Sequence, residues 1–177
     1  GIEPADNVAS AAIAKGVPLG PTMGELMGRN DGLCHGLGGS MHLVEREHGL
    51  RGATGVVGGN IPLAAGDALA ALLSQSDRAT VVFFGDGAVQ AGHFHESVNL
   101  AALWRLPLIF VCENNGFAIH EPIAKRQATD RICARVATYG IPARRFADSD
   151  TRAIRAHIAK ALPKMRKGGG PIFLECM

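Results

Sequence analysis

No stretch of this sequence approaches the roughly 18–20 consecutive apolar residues that would carry a helix across a bilayer, so a membrane-spanning chain is not expected. None of its four cysteines forms a Cys-x-x-Cys pair or a Cys/His metal pattern, which argues against a structural zinc site. Cys34, Cys112, Cys133 and Cys176 lie far apart. Three of them have apolar or helix-forming neighbours, where cysteine acts as a small buried hydrophobe. The opening residues GIEPADN lack the pattern of a secretory signal. Together these absences imply a reducing compartment, the bacterial cytoplasm or the mitochondrial matrix, and not secretion. No excess of one charge exists either: the formal net charge is +2 and the charges are interspersed, which argues against a nucleic-acid surface. The 23 glycines keep no fixed period, so collagen-like and repeat architectures are excluded. No linker divides the chain, and residues 1–177 are expected as a single domain.

What the sequence does contain is a substantial apolar fraction, 47%, arranged in alternating strand-like and helix-like runs. Thr80–Phe84 is continuously apolar, as in a parallel strand covered on both faces. Pro107 opens a second run, Leu108–Cys112, and Pro171–Cys176 is a third; Arg145–Ala147 can form a short one. Between them, Ile61–Ser74 reads as a helix with Pro62 in its first turn and small residues all round. Ala91–Arg105 places Phe94, Val98, Ala101 and Ala102 on one face. Asp130–Tyr139 is stopped by Gly140 and Pro142. Thr151–Lys167 is amphipathic, with Ser149, Asp150 or Thr151 to cap it and Lys164, Arg166 and Lys167 at its negative end. Earlier, Val8–Lys15 suits one or two helical turns, and Gly16–Arg29 a turn and a short helix whose Met23, Leu26 and Met27 read as core packing. Gly32–Gly59 holds too much glycine for a stable element and is expected to be a functional loop. Strands alternating with helices imply an α/β fold, a parallel sheet with helices on both faces and right-handed crossovers.

The chemistry concentrates in Val81–Asn115. A crossover helix of about 13–15 residues and a six-residue strand are each ~20 Å long. Gly85-Asp86-Gly87 and Asn114-Asn115 should therefore lie at the carboxyl ends of neighbouring strands, where open α/β sheets bind ligands. Gly85 and Gly87 permit a sharp turn and a close backbone approach. Asp86 offers a hard anionic oxygen and Asn115 a neutral amide oxygen. One carboxylate, one or two carbonyls and a diphosphate form the ligand set that Mg²⁺ prefers. The segment from Ala88 leads into a helix N-terminus, which favours phosphate.

Gly-Asp-Gly followed 26 residues later by Asn-Asn resembles the thiamine diphosphate motif, and HFHESVNLAALWRLPLIFVCENNGFAIHEP is similar to the alpha subunit of 2-oxo acid (pyruvate, branched-chain or acetoin) dehydrogenases. GLGGSMHL and GVVGGNIPLAAG follow the same family in the same order, and the likeness spans roughly Ala14 to Glu175. The resemblance implies the thiamin diphosphate-binding fold. It implies that Asp86, Asn115 and the carbonyl of Phe117 hold Mg²⁺, that Gly85, Gly87 and Ala88 meet the diphosphate, and that Gly55 and Val57 meet the aminopyrimidine ring. It turns His42 of the GGSMH loop toward the cofactor cleft, as the catalytic candidate. It further implies oxidative decarboxylation of a small-molecule 2-oxo acid, of pyruvate or acetoin type, and acyl transfer to a lipoyl-bearing acyltransferase. The partner would be a beta subunit that supplies the activating glutamate, in an assembly of two alpha and two beta chains. The family's diphosphate-gripping arginine would fall near Asp6, Asn7 and Ala9, yet no arginine precedes Arg29, and a family loop would follow Met177. A domain shortened at both ends is the resulting expectation. Two other readings stay open: a transketolase-like half-domain, and a cofactor-free assembly module of the same fold.

Overall fold

A computed structural model describes residues 7–148 and 150–177. They fall into two compact units that part between Asn60 and Ile61.

The unit ending at Asn60 starts with helix α1 (Asn7–Ala14) and helix α2 (Leu19–Leu26), with Pro21 in the first turn of α2. α2 turns Thr22, Gly24 and Glu25 inward and leaves Met23, Leu26 and Met27 exposed. The expected methionine stripe is therefore not core packing. The acid explains the rotation. The Glu25 carboxylate accepts backbone N–H bonds from Cys34 (2.7 Å), Gly36 (2.8 Å), Gly38 (2.6 Å) and Gly39 (3.1 Å). The following residues form turns with a single bridge, Glu45 to Leu50. Glycine is required there by close approach: a Cβ on Gly32 would stand 2.6 Å from the Glu25 backbone.

The second unit begins within helix α3 (Asn60–Leu73). Strand β1 (Thr80–Gly85), a 3₁₀ turn (Asp86–Gln90), helix α4 (Gly92–Leu103) and strand β2 (Leu108–Glu113) follow. A hairpin of β3 (Phe117–Ala118) and β4 (Glu121–Pro122) leads to the single-turn helix α5 (Ile123–Arg126). Helix α6 (Ile132–Ala137), strand β5 (Ala143–Phe146), helix α7 (Thr151–Lys164) and strand β6 (Ile172–Cys176) complete it. The four long strands are parallel in the order β1-β2-β6-β5.

Alternation along β2 places helices on both faces. Leu108, Phe110 and Cys112 enter a core shared with α3, α4 and α6. Ile109 and Val111 enter a second core covered by Ile154, Ile158, Ala161 and Leu162 of α7. In the first core Phe173 stands 6.2–6.4 Å from the rings of Phe84, Phe94 and Phe110. The small residues of α3 (Ala64, Ala65 and Ala68) let that helix settle into the same core.

β1 departs from the expectation of cover on both faces: Val82 and Phe84 are buried, whereas Val81 and Phe83 are exposed. β1 ends the sheet, and the residues packed under α7 come from β2, β6 and β5. Asp150 caps α7 by accepting from the N–H groups of Arg152 (2.9 Å) and Ala153 (3.3 Å), while Ser149 lies outside the described residues. α7 stops at Lys164, short of the expected Lys167, because the backbone widens through Met165–Gly169 and turns left-handed at Gly168 (φ +78°). There Arg166 donates to the carbonyl of Asp77 at 2.9 Å. No described helix is long and apolar enough to cross a membrane.

Candidate functional site

Gly85 and Glu113 are paired in the parallel register, so Asp86 and Asn114 leave neighbouring strands at the same level. The length argument for these two strand ends therefore holds. Asp86 opens the 3₁₀ turn and is 1% exposed, and Ala88 and Val89 behind it are buried. A Cβ on Gly87 would meet Ala118 of the hairpin at 3.0 Å, a separation that glycine tolerates without displacing its neighbour.

The two asparagines divide their work. Asn114 is buried. Its amide donates to Glu175 (2.7 Å), its carbonyl oxygen accepts from the Gly116 N–H (3.0 Å), and its own N–H donates to the Cys176 carbonyl (2.7 Å). Asn115 is exposed, and its side-chain oxygen accepts from the Phe117 N–H at 2.8 Å. Gly116 between them takes φ +79°, which turns the chain out of β2 into the hairpin. Asn115, Phe117, Ile119 and His120 line a shallow cleft of about 320 Å³. Ile119, at the hairpin tip, sits at φ +55°, a conformation unfavourable for a β-branched residue.

A residue outside the sequence expectations dominates the electrostatics here. Arg126 forms an ion pair with the Asp86 carboxylate, and its guanidinium also donates to the Asp86 carbonyl at 3.4 Å. Gln127 donates to that same carbonyl at 3.2 Å and accepts from Arg135 at 2.7 Å. Gln90 donates to the Arg126 carbonyl. Asp86 is thus a buried anion with a cation already against it. Nothing in the local sequence IAKRQ marked Arg126, since Lys125 and Arg126 ending a short helix read as dipole partners.

The other predicted residues lie in the first unit. His42 donates its N–H to the Gly38 carbonyl at 3.1 Å. A Cβ on Gly55 would stand 3.4 Å from Met41 Sδ and 3.8 Å from the His42 ring, so Gly55 and His42 are neighbours. Val57 is exposed. Glu25, which sequence reasoning missed, organises this loop. Burial pushes its carboxyl up, but the four backbone donors outweigh that and hold it below the usual glutamate range. Its only sequence signal was an acid on a helix face that glycine-rich turns could reach.

Among the described residues no group of three or more His, Cys, Asp or Glu side chains could hold a metal by itself. Three of the thiols, Cys112, Cys133 and Cys176, are poor nucleophiles. Burial, with the nearby Glu175 and Asp86 carboxylates, raises Cys112 well above the ordinary thiol range. Burial and a hydrogen bond with Glu175 push Cys133 up to about 12, and burial raises Cys176. His95 pairs with the Tyr139 hydroxyl at 3.0 Å, a structural contact.

Residues 7–177 match the model of the family described as dehydrogenase E1 component. The chain belongs to that family. Relatives within it include the alpha subunit of acetoin:2,6-dichlorophenolindophenol oxidoreductase from Bacillus subtilis, 45% identical over 93% of this chain and 50% of that protein. The pyruvate dehydrogenase E1 component alpha subunit of Rhizobium meliloti is 38% identical over 93% of this chain and 47% of its own length. The E1 chain thus spans about half the length of these relatives. Among solved structures, a Pichia stipitis transketolase superposes with a TM-score of 0.62 at 28% identity, covering 71% of this chain and 20% of that one. A thiamin diphosphate-dependent enzyme from Mycobacterium smegmatis gives 0.57 at 25% identity, covering 72% and 23%. The fold is the α/β fold of thiamin diphosphate enzymes, as the resemblance implied.

Proposed function

We propose that this E1 chain supplies the diphosphate side of a thiamine diphosphate site in the alpha subunit of a 2-oxo acid dehydrogenase, of pyruvate or acetoin type. Mg²⁺ would be held by the Asp86 carboxylate, the Asn115 amide oxygen and the Phe117 carbonyl, with diphosphate oxygens completing the set. The observation that carries this reading is the buried carboxylate of Asp86 at the end of β1, level with the strand end that leads to Asn115.

The donor chemistry fits the cofactor. Asp86 already takes a positive group against its carboxylate, so the position favours a cation. Asn115 and Phe117 offer neutral oxygens on the exposed hairpin approach, and Gly87 leaves no Cβ against Ala118 beside the Asp86 turn. Bound there, thiamine diphosphate supplies the electron sink that decarboxylation of a 2-oxo acid requires. The chain's own contribution would be to bind and orient: the strand ends with Gly87 and Ala88 would hold the diphosphate, and by the family resemblance Gly55 and Val57 would meet the aminopyrimidine ring. His42, beside Gly55, is the candidate for handling a proton on the substrate. A beta chain would complete the site in an assembly of two alpha and two beta chains, with a lipoyl-bearing acyltransferase receiving the acyl group.

Reconstitution tests this reading. The full chain, combined with a dehydrogenase E1 beta chain, thiamine diphosphate and Mg²⁺, is expected to release CO₂ from pyruvate with an artificial electron acceptor, or to cleave acetoin. Asp86→Ala should abolish either reaction. A wild-type complex that assembles yet acts on neither substrate would favour the cofactor-free assembly module.

A further inference from the structure

The Arg126–Asp86 pair is more than a local contact. Asp86 is 1% exposed and the Arg126 side chain 11% exposed, so the two charges neutralise each other out of water. The pair is also held from both ends. Arg126 Nε donates to the Glu121 carbonyl at 3.3 Å, Gln90 holds the Arg126 carbonyl, and Gln127 reaches the Asp86 carbonyl at 3.2 Å. Arg135 in turn fixes Gln127 at 2.7 Å and touches the Val89 carbonyl at 3.5 Å. The segment from Glu121 to Gln127 is thereby clamped over the 3₁₀ turn with a guanidinium on the carboxylate.

A divalent cation cannot simply be added to this arrangement. With Arg126 in place, Mg²⁺ on Asp86 would leave two net positive charges in a site shielded from water, and unpaired buried charge is strongly disfavoured. The metal must displace the guanidinium. A displaced guanidinium needs another anion, and a diphosphate is one that its planar donor fork matches. Resting on the metal-diphosphate function proposed above for Asp86, we propose that Arg126 is an exchangeable counter-cation of that carboxylate. It weakens uptake of the metal by itself and yields Asp86 more readily when a diphosphate arrives with the metal. Metal and diphosphate are then taken up as a pair.

Mn²⁺ binding to the full chain, followed by electron paramagnetic resonance, reads this directly. Arg126→Gln should bind Mn²⁺ alone about tenfold more tightly than wild type, the worth of one displaced charge-assisted contact. Arg126→Lys keeps the charge and should stay within about twofold of wild type. No tightening in Arg126→Gln, or equal tightening in both variants, overturns the proposal. Asp86→Asn separates it from the reading beneath it: if Mn²⁺ binding survives that change, Asp86 is not the metal ligand at all, whatever Arg126 does. Because Arg126→Gln strands a buried carboxylate and can impair folding, wild type gives a second test by thermal melting. Mg²⁺ alone should leave the melting temperature unchanged, whereas Mg²⁺ with thiamine diphosphate should raise it. An equal rise with Mg²⁺ alone contradicts the exchange.

Discussion

Asn114 and Asn115 are adjacent and chemically identical, yet the structure predicts very unequal losses of stability on removing them. Asn114→Ala removes one hydrogen bond to the buried Glu175 carboxylate (2.7 Å) and one from the Gly116 N–H (3.0 Å). A bond to a charged group is worth about 1.5–3 kcal/mol and a neutral one about 0.5–1.5 kcal/mol. Glu175 is 1% exposed, so water cannot readily replace the lost donor. Its remaining charged neighbour, Arg145, stands 3.7 Å away and is half exposed. The expected loss is about 2–4.5 kcal/mol, a large share of a typical total of about 5–15 kcal/mol. With an m-value of about 2 kcal/mol/M, the urea midpoint should fall by about 1–2 M. Asn115→Ala loses only the exposed bond from the Phe117 N–H, about 0.5–1.5 kcal/mol at most. Urea unfolding followed by tryptophan fluorescence and circular dichroism compares the two variants. An Asn114→Ala loss under about 1 kcal/mol, or a larger loss for Asn115→Ala, would refute the division of roles.

Two further perturbations probe the framework. Phe173→Ala, which empties the space between Phe84, Phe94 and Phe110, should cost about 3–5 kcal/mol, whereas Val81→Ala on the exposed side of β1 should cost less than about 1 kcal/mol by the same assay. Glu25 carries a pH dependence with a definite sign. Its carboxyl is held below its ordinary value of 4.5, so its contribution is fully present above pH 4.5 and is lost as pH falls from there through its lowered folded value. Hydrogen exchange at Cys34, Gly36, Gly38 and Gly39 should accelerate across that acid window once corrected for intrinsic rates. In Glu25→Gln the acid-induced step should vanish.

The sheet and the strand ends were legible because they rest on period and length. Apolar runs broken by Pro107 and Gly140 fixed the elements, and matching a helix to a strand brought Asp86 and Asn114 to one level. Cover was less legible. Thr80–Phe84 is as apolar as a central strand, but an edge position depends on strand order, and no local pattern encodes that order. The same limit misplaced Met23, Leu26 and Met27. Hydrophobicity pointed them inward, while four backbone N–H groups nine to fourteen residues further along the chain claimed Glu25 instead. Arg126 was invisible for a related reason: 40 residues separate it from Asp86, and only the hairpin brings them together. The metal ligands were read from residue type and family likeness, and their assignment remains the proposal on which the function rests.

Calorimetric titration of thiamine diphosphate into the full chain with Mg²⁺ addresses that assignment most directly. Wild type should give saturable heat with one site per chain. Asp86→Ala, with its fold verified by circular dichroism, should give none. Undiminished binding by Asp86→Ala would contradict the claim that the end of β1 holds the metal and its diphosphate.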